Sequence, residues 1–260
     1  MKITYLIGAL VASLAAQPAS AALFVTGDSN ILGASSVHIN TLPANQRFIL
    51  NIAGNNVLIQ RSSAFYTDNT TEALNLSSFL QTQSINSTIT DSSLELDAAD
   101  FVGRTLFIGY GSEDAYTTNE VALMGSFLNA GGSILFAGEN SIFSESNGFI
   151  NSALTGLGSS MRIVDDAIDN VDYTTANVLT SNPFTTGTTG LQFVSASYLT
   201  GGNGLYGTAT GNKTFVAFDR SIRSAVPEPA TWAMMFAGFG IVGSTLRRRS
   251  RANSVRAIAG

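Results

Sequence analysis

The stretch 105–137 constrains the fold of this chain more than any other. Thr105-Leu106-Phe107-Ile108-Gly109-Tyr110 is a continuous apolar run, and Ser133-Ile134-Leu135-Phe136-Ala137 is a second. Runs without polar alternation belong to strands covered on both faces. Between them Val121, Leu123, Met124, Phe127 and Leu128 repeat at helical spacing. Thr117 with Glu120 three residues on is a capping-box pattern at the start of that helix, and Gly131-Gly132 stops it. Strand, helix and strand in this order predict a βαβ unit, with parallel strands and helices on both faces of the sheet.

The flanking sequence extends the pattern. Residues 23–26 read as a buried first strand that runs into Gly27-Asp28-Ser29-Asn30. Leu42, Phe48, Ile49 and Ile52 predict a helix closed by Gly54, and 56–60 a second strand. Residues 70–81 are again helical, Thr88-Ile89 begin a weak strand, and 94–101 form a short helix. A helix over 149–157, ended by Gly158, precedes a strand at 161–164. After about residue 165 helical spacing disappears and Thr, Gly and Asn dominate. There 192–198 and 213–219 alternate as strands, with Gly201-Gly202-Asn203-Gly204 as a turn between them. The expected fold class for residues 22–224 is α/β: a flavodoxin-like parallel sheet with a β-rich C-terminal portion.

Both ends of the chain read as addresses. Lys2, an apolar core at 6–16 and Ala19-Ser20-Ala21 match a secretory signal peptide over residues 1–21. Residues 230–246 carry no charge. As a helix they reach roughly 25 Å, near the lower limit for a bilayer core, so a transmembrane helix is expected there. Arg247, Arg248 and Arg249 would keep its far end and the tail 251–260 in the cytoplasm.

Val226-Pro227-Glu228-Pro229, an apolar segment and the arginine cluster occur in this order over residues 225–250. The arrangement resembles the PEP-CTERM sorting signal of Gram-negative bacteria. The resemblance implies an exported protein held at the inner membrane until an exosortase-type enzyme cleaves near Pro227-Glu228-Pro229, then released to the cell surface or beyond. A second resemblance concerns the body. Phe107-Ile108-Gly109-Tyr110-Gly111, a helix, then Gly131-Gly132-Ser133-Ile134-Leu135-Phe136-Ala137-Gly138 is similar to the class I glutamine amidotransferase-like fold. In that family the strand delivers an elbow with a cysteine. The elbow here falls at Gly138-Glu139-Asn140, and the chain has no cysteine, so the amidotransferase reaction is not expected.

Charge narrows the partners. Residues 22–224 hold 7 Lys and Arg against 17 Asp and Glu, a net of −10. Such a body repels phosphate backbones, so no nucleic-acid partner is expected. Without cysteine there are no disulfides and no thiol chemistry. His38 is the single histidine, has no Gly-x-Ser-x-Gly elbow to serve, and cannot build a zinc site with carboxylates alone. The acidic run Asp165, Asp166, Asp169 and Asp172 lacks the spacing of a calcium loop. No metal and no cofactor are expected.

In a parallel α/β sheet, ligands bind beyond the carboxyl ends of the strands. Three polar clusters are placed there by strand direction: Asp28 with Ser29 and Asn30, Glu113 and Asp114 after Ser112, and Glu139 and Asn140 before Ser141. They are the candidate binding residues for a sugar or a cation, although Asp, Asn and Ser at strand ends also serve as helix caps. The expected function is therefore a non-enzymatic surface or extracellular-matrix protein. The alternative is a carbohydrate- or metal-binding protein, or a hydrolase, acting on envelope or matrix polysaccharide through that rim.

Overall fold

The computed structural model describes residues 21–33, 39–62, 70–111, 113–167, 174–208 and 213–220. All of the expected signal peptide (1–21) but Ala21, and His38, Ser112, Asp169, Asp172, the sorting signal and the tail, lie outside them. So does the span expected over 230–246. Among the described residues no helix is long and apolar enough to cross a membrane, so the expected transmembrane helix has no support in the structure.

The first half alternates strands and helices as its periodicity dictates. The strands are β1 (Ala22–Thr26), β2 (Asn56–Arg61), β3 (Asn86–Asp91), β4 (Leu106–Tyr110) and β5 (Ser133–Ala137). The helices are α1 (Pro43–Ala53), α2 (Thr70–Thr82), α3 (Thr118–Asn129) and α4 (Ser144–Gly156). β1, β4 and β5 are buried at every position, because helices cover both faces. Side chains alternate between two cores. Phe24, Ile59, Ile108 and Leu135 meet α1 and α2 on one side. Leu23, Val25, Leu58, Phe107 and Phe136 meet α3 and α4 on the other. The capping box of α3 forms: Thr117 Oγ1 accepts from Glu120 N at 3.2 Å, and Glu120 Oε2 accepts from Thr117 N at 2.8 Å.

Six strands make up the second half: β6 (Arg162–Ala167), β7 (Thr174–Val178), β8 (Gly190–Phe193), β9 (Ser197–Thr200), β10 (Asn203–Gly207) and β11 (Thr214–Arg220). They do not make a separate layer. Among the described residues all eleven strands belong to one mixed sheet in the order β3-β2-β4-β5-β1-β11-β10-β7-β8, with β9 joined to β11 and β6. This overturns the expected flavodoxin-like parallel sheet. In that arrangement the chain's first strand lies between the second and third. Here β1 lies between β5, its parallel neighbour, and β11, its antiparallel neighbour. The physical cause is the five-residue pairing of β1 with β11, from Ala22↔Arg220 to Thr26↔Val216, which takes the flank of β1 and extends the sheet with antiparallel strands.

Two further expectations are corrected. Residues 94–101 form turns rather than a helix. The Asp97 carboxylate accepts from the Ala99 and Asp100 amides at 2.7 and 3.2 Å, and Asp100 returns a bond to Asp97 N at 2.9 Å, competing with helical pairing. The run 192–198 breaks at Ser195, which has φ of 53°, so it supplies β8 and β9 separately.

The β-rich half curls over α1. Asn45 of α1 is fully buried. Its amide donates to Ile31 O at 3.0 Å and Gln192 O at 2.7 Å, and its oxygen accepts from Gln192 N at 2.9 Å. The helix thus offers β8 the pairing a neighbouring strand would. Asn45→Ala leaves those backbone groups unpaired and is expected to lower stability by about 2–4 kcal/mol in urea unfolding. An effect within ~0.5 kcal/mol would show that water replaces the amide.

Candidate functional site

Strand direction brings the ends of β1 and β5 together. Gly27 follows β1, and a Cβ there would collide with the Ser197 carbonyl. Gly138 follows β5, where a Cβ would meet the Ile163 side chain and Asn147 Oδ1. These close approaches tuck the next residues, Asp28 and Glu139, inward. Asp28 is 0% exposed and Glu139 5%.

The two carboxylates share a network built by their own loops. Asn30 Nδ2 donates to Asp28 Oδ1 at 2.8 Å and to Glu139 Oε2 at 3.3 Å, bridging the pair. Ser29 Oγ donates to Glu139 Oε2 at 2.7 Å. Asp28 also accepts from Asn30 N at 2.8 Å and from Val194 N, between β8 and β9, at 2.7 Å. Asn140 N donates to Glu139 Oε1 at 2.9 Å. Behind them Asn147 of α4 pairs with the Glu139 backbone, accepting from its N–H at 3.0 Å and donating to its C=O at 2.8 Å.

Burial pushes the Asp28 carboxyl up to about 7, against hydrogen bonds from Val194 and Asn30 that favour its ionised form. Burial, then the charge of Asp28, pushes Glu139 up to about 8. Two buried carboxyls this close retain a proton near neutrality. The arrangement can hold and exchange a proton, and it ties three separate segments together. It presents little carboxylate edge to a polymer in solution.

Asp28, Asn30, Glu139 and Asn140 are therefore brought together, and Glu113 and Asp114 are not. Both of those are exposed, and Glu113 Oε1 accepts from Ser92 Oγ at 3.2 Å, beside the end of β3. Among the described residues no group of three or more His, Asp and Glu is placed to hold a metal. A groove of about 600 Å³ between α3 and α4, lined by Tyr116, Val121, Gly125, Ser126, Ser152 and Leu157, holds none of the nominated residues.

Sequence reasoning missed Asn147 and the Val194 amide. Asn147 had a signal: it shares the apolar stripe of α4 with Ile150 and Leu154, where a buried amide needs a fixed partner. Val194 had none, since its role depends on how the second half folds back.

No curated protein matches the chain. Among solved structures it is similar to one described as the mmIFT52 N-terminal domain, at 16% identity and a TM-score of 0.45, over 58% of this chain and 72% of that one. The glutamine amidotransferase-like expectation for the body finds no support in these comparisons or in the strand order. Residues 225–250 match the PEP-CTERM protein-sorting motif, which makes them an exosortase-substrate sorting signal and marks the chain as an exported protein.

Proposed function

We propose that the body is a non-enzymatic surface or extracellular-matrix protein, delivered through its C-terminal signal at the inner membrane by an exosortase-type enzyme. The PEP-CTERM match over residues 225–250 carries this reading. The acidic body supports an extracytoplasmic destination without nucleic-acid partners. The non-enzymatic part is favoured by the Asp28–Glu139 network, whose hydrogen bonds are made by the protein's own loops and whose carboxyls are buried. Such a network fixes a fold more readily than it meets a substrate.

Deleting residues 225–250 is expected to abolish surface delivery, with the body accumulating as an unprocessed species. Fractionation and mass spectrometry of the C-terminus would show it. Unchanged surface display of the truncated chain would refute the sorting reading.

A second reading is a polysaccharide- or metal-binding protein, or a hydrolase, using the strand-end carboxylates. Its supporting observation is the convergence of Asp28 and Glu139 beyond β1 and β5. Retention on matrix polysaccharide that is lost in a folded Glu139→Gln variant would favour it over the first.

A further inference from the structure

Among the described residues the mixed sheet has three free edges, at β3, β8 and β6. Two of them are closed by the same device. Asn45 of α1 donates to Gln192 O and accepts from Gln192 N, so it occupies the edge of β8. Asn151 of α4 treats β6 alike: its amide donates to Ile163 O at 2.9 Å, and its oxygen accepts from Ile163 N at 2.8 Å. Each side chain stands where a further strand would pair, and so blocks it.

β3 has no such stopper. Asn86 N donates to Asn55 O at 3.1 Å and Ser92 N to Arg61 O at 2.8 Å, so the even-numbered residues turn toward β2, the parallel neighbour. The odd-numbered residues therefore face away from the sheet. Among the described residues no group bonds the N–H or C=O of Ser87 or Ile89 on that side. The strand also lacks the usual edge protection. Residues 86–91 contain no proline and no lysine, and their register with β2 runs without a bulge.

The strand is complementary to itself. An antiparallel partner must set outward residues against outward residues. A second β3 does so with Ile89, the middle outward residue, on a two-fold axis. The two Ile89 residues then exchange both backbone hydrogen bonds, Thr88 of one copy meets Thr90 of the other, and Ser87 meets Asp91. Threonine pairs suit such positions, no like charges oppose each other, and Arg61 offsets the charge of Asp91. The layer above agrees. Ser77 of α2 lies against β3, its Oγ 2.8 Å from Ser87 Oγ. Leu74 is one turn away on the same flank of the helix and is 52% exposed. Because α2 joins two parallel strands it runs opposite to β3, so Leu74 is displaced from the level of Ser87 by about 4–5 Å toward that of Ile89. The axis through Ile89 thus brings the Leu74 side chains of two copies toward each other, and an apolar group beside a bare edge is what a second copy would cover.

We infer that β3 is a self-association edge: two copies join their β3 strands antiparallel about Ile89 into one continuous sheet, with Leu74 packing across the axis. The isologous contact consumes the bare edge of each copy, and the stoppered β8 and β6 end the assembly at two. The interface is independent of the sorting signal and of the Asp28–Glu139 pair.

The chain has no cysteine, so introduced thiols report position. In this register residue 88 of one copy lies about 4.5 Å from residue 90 of the other at Cα, whereas two residues 88, or two residues 90, lie roughly 8 Å apart, beyond disulfide reach. Full-length Thr88→Cys and Thr90→Cys chains in mild detergent are oxidised separately and as an equal mixture. The mixture is expected to crosslink several-fold more than either chain alone. Sedimentation of the unsubstituted full chain is expected to show a dimer, which Leu74→Glu, a change at an exposed position, weakens about tenfold or more. Equal crosslinking in all three samples, or none, overturns the proposal, as does a full chain that stays monomeric at about 100 μM or a dimer indifferent to Leu74→Glu. An Ile89 amide protected from hydrogen exchange in a monomer assigns the edge to another segment of the same chain, and overturns it too. Surface delivery is expected to be normal in Leu74→Glu, so failure of this interface and failure of the sorting reading are separately visible.

Discussion

Phe24→Ala is expected to lower the stability of the body by about 3–5 kcal/mol, a third or more of what a typical domain possesses. Phe24 is fully buried in the middle of β1. Its ring meets Phe48 of α1 at 6.3 Å, Phe184 at 4.8 Å and Phe218 of β11 at 6.1 Å. It is thus the point where the first strand, the first helix and the last strand share one core. The substitution removes the aromatic pairs as well as the buried area, and the surrounding rings cannot all close on the hole. Urea unfolding measures the loss, and Phe24→Leu should cost less because most of the volume stays. A loss below ~1 kcal/mol for alanine would mean that the two halves of the sheet do not depend on each other.

The second large effect is on pH dependence. Burial raises the folded Asp28 and Glu139 carboxyls to about 7 and about 8, from their ordinary values of 3.8 and 4.5. Below about pH 4 both are protonated whether the chain is folded or not, and their contribution is fully present. Between there and pH 8 the unfolded chain has released protons that the folded body keeps, so stability falls as pH rises. Both shifts act in this same direction, so the two carboxyls together give the fold a pronounced dependence on pH. Glu139→Gln removes the Glu139 titration and leaves that of Asp28, which burial raises. The stability–pH curve of this variant should be markedly flatter from pH 4 to 8. The general repulsion of an acidic surface also weakens the fold with rising pH, but it is common to both proteins and cancels in the comparison. Parallel curves for the two would show that the pair ionises freely in the native state.

The parts of the fold written in local sequence were legible. Two apolar runs around a capped amphipathic helix specify β4, α3 and β5, and these residues carry enough burial to impose their own order. The convergence of Asp28 with Glu139 was legible for the same reason, since parallel neighbours end on the same side. Their burial was not, because it depends on Val194 and Ser197 arriving from the second half of the chain. The fold class was lost at β10 and β11. Gly201-Gly202-Asn203-Gly204 reads as a turn. In the structure Asn203 and Gly204 already belong to β10, a strand whose Gly207 has no room for a Cβ beside the Lys213 carbonyl. Leu94 to Phe101 failed differently: its apolar spacing is helical, but Asp97 captures the amides that a helix would use.

The antiparallel union of β1 and β11 has a consequence for how the body is made. Ala22 and Arg220 are opposite each other although nearly the whole domain separates them in sequence. A chain that is synthesised from its amino end must carry β1 with one flank bare until the last few residues of the domain have emerged. Closing so long a loop is slow and leaves an edge open to other chains in the meantime. The ends of β1 and β11 at Ala22 and Arg220 therefore lie at one pole of the finished domain, so a change to the chain beyond either end leaves the opposite pole undisturbed.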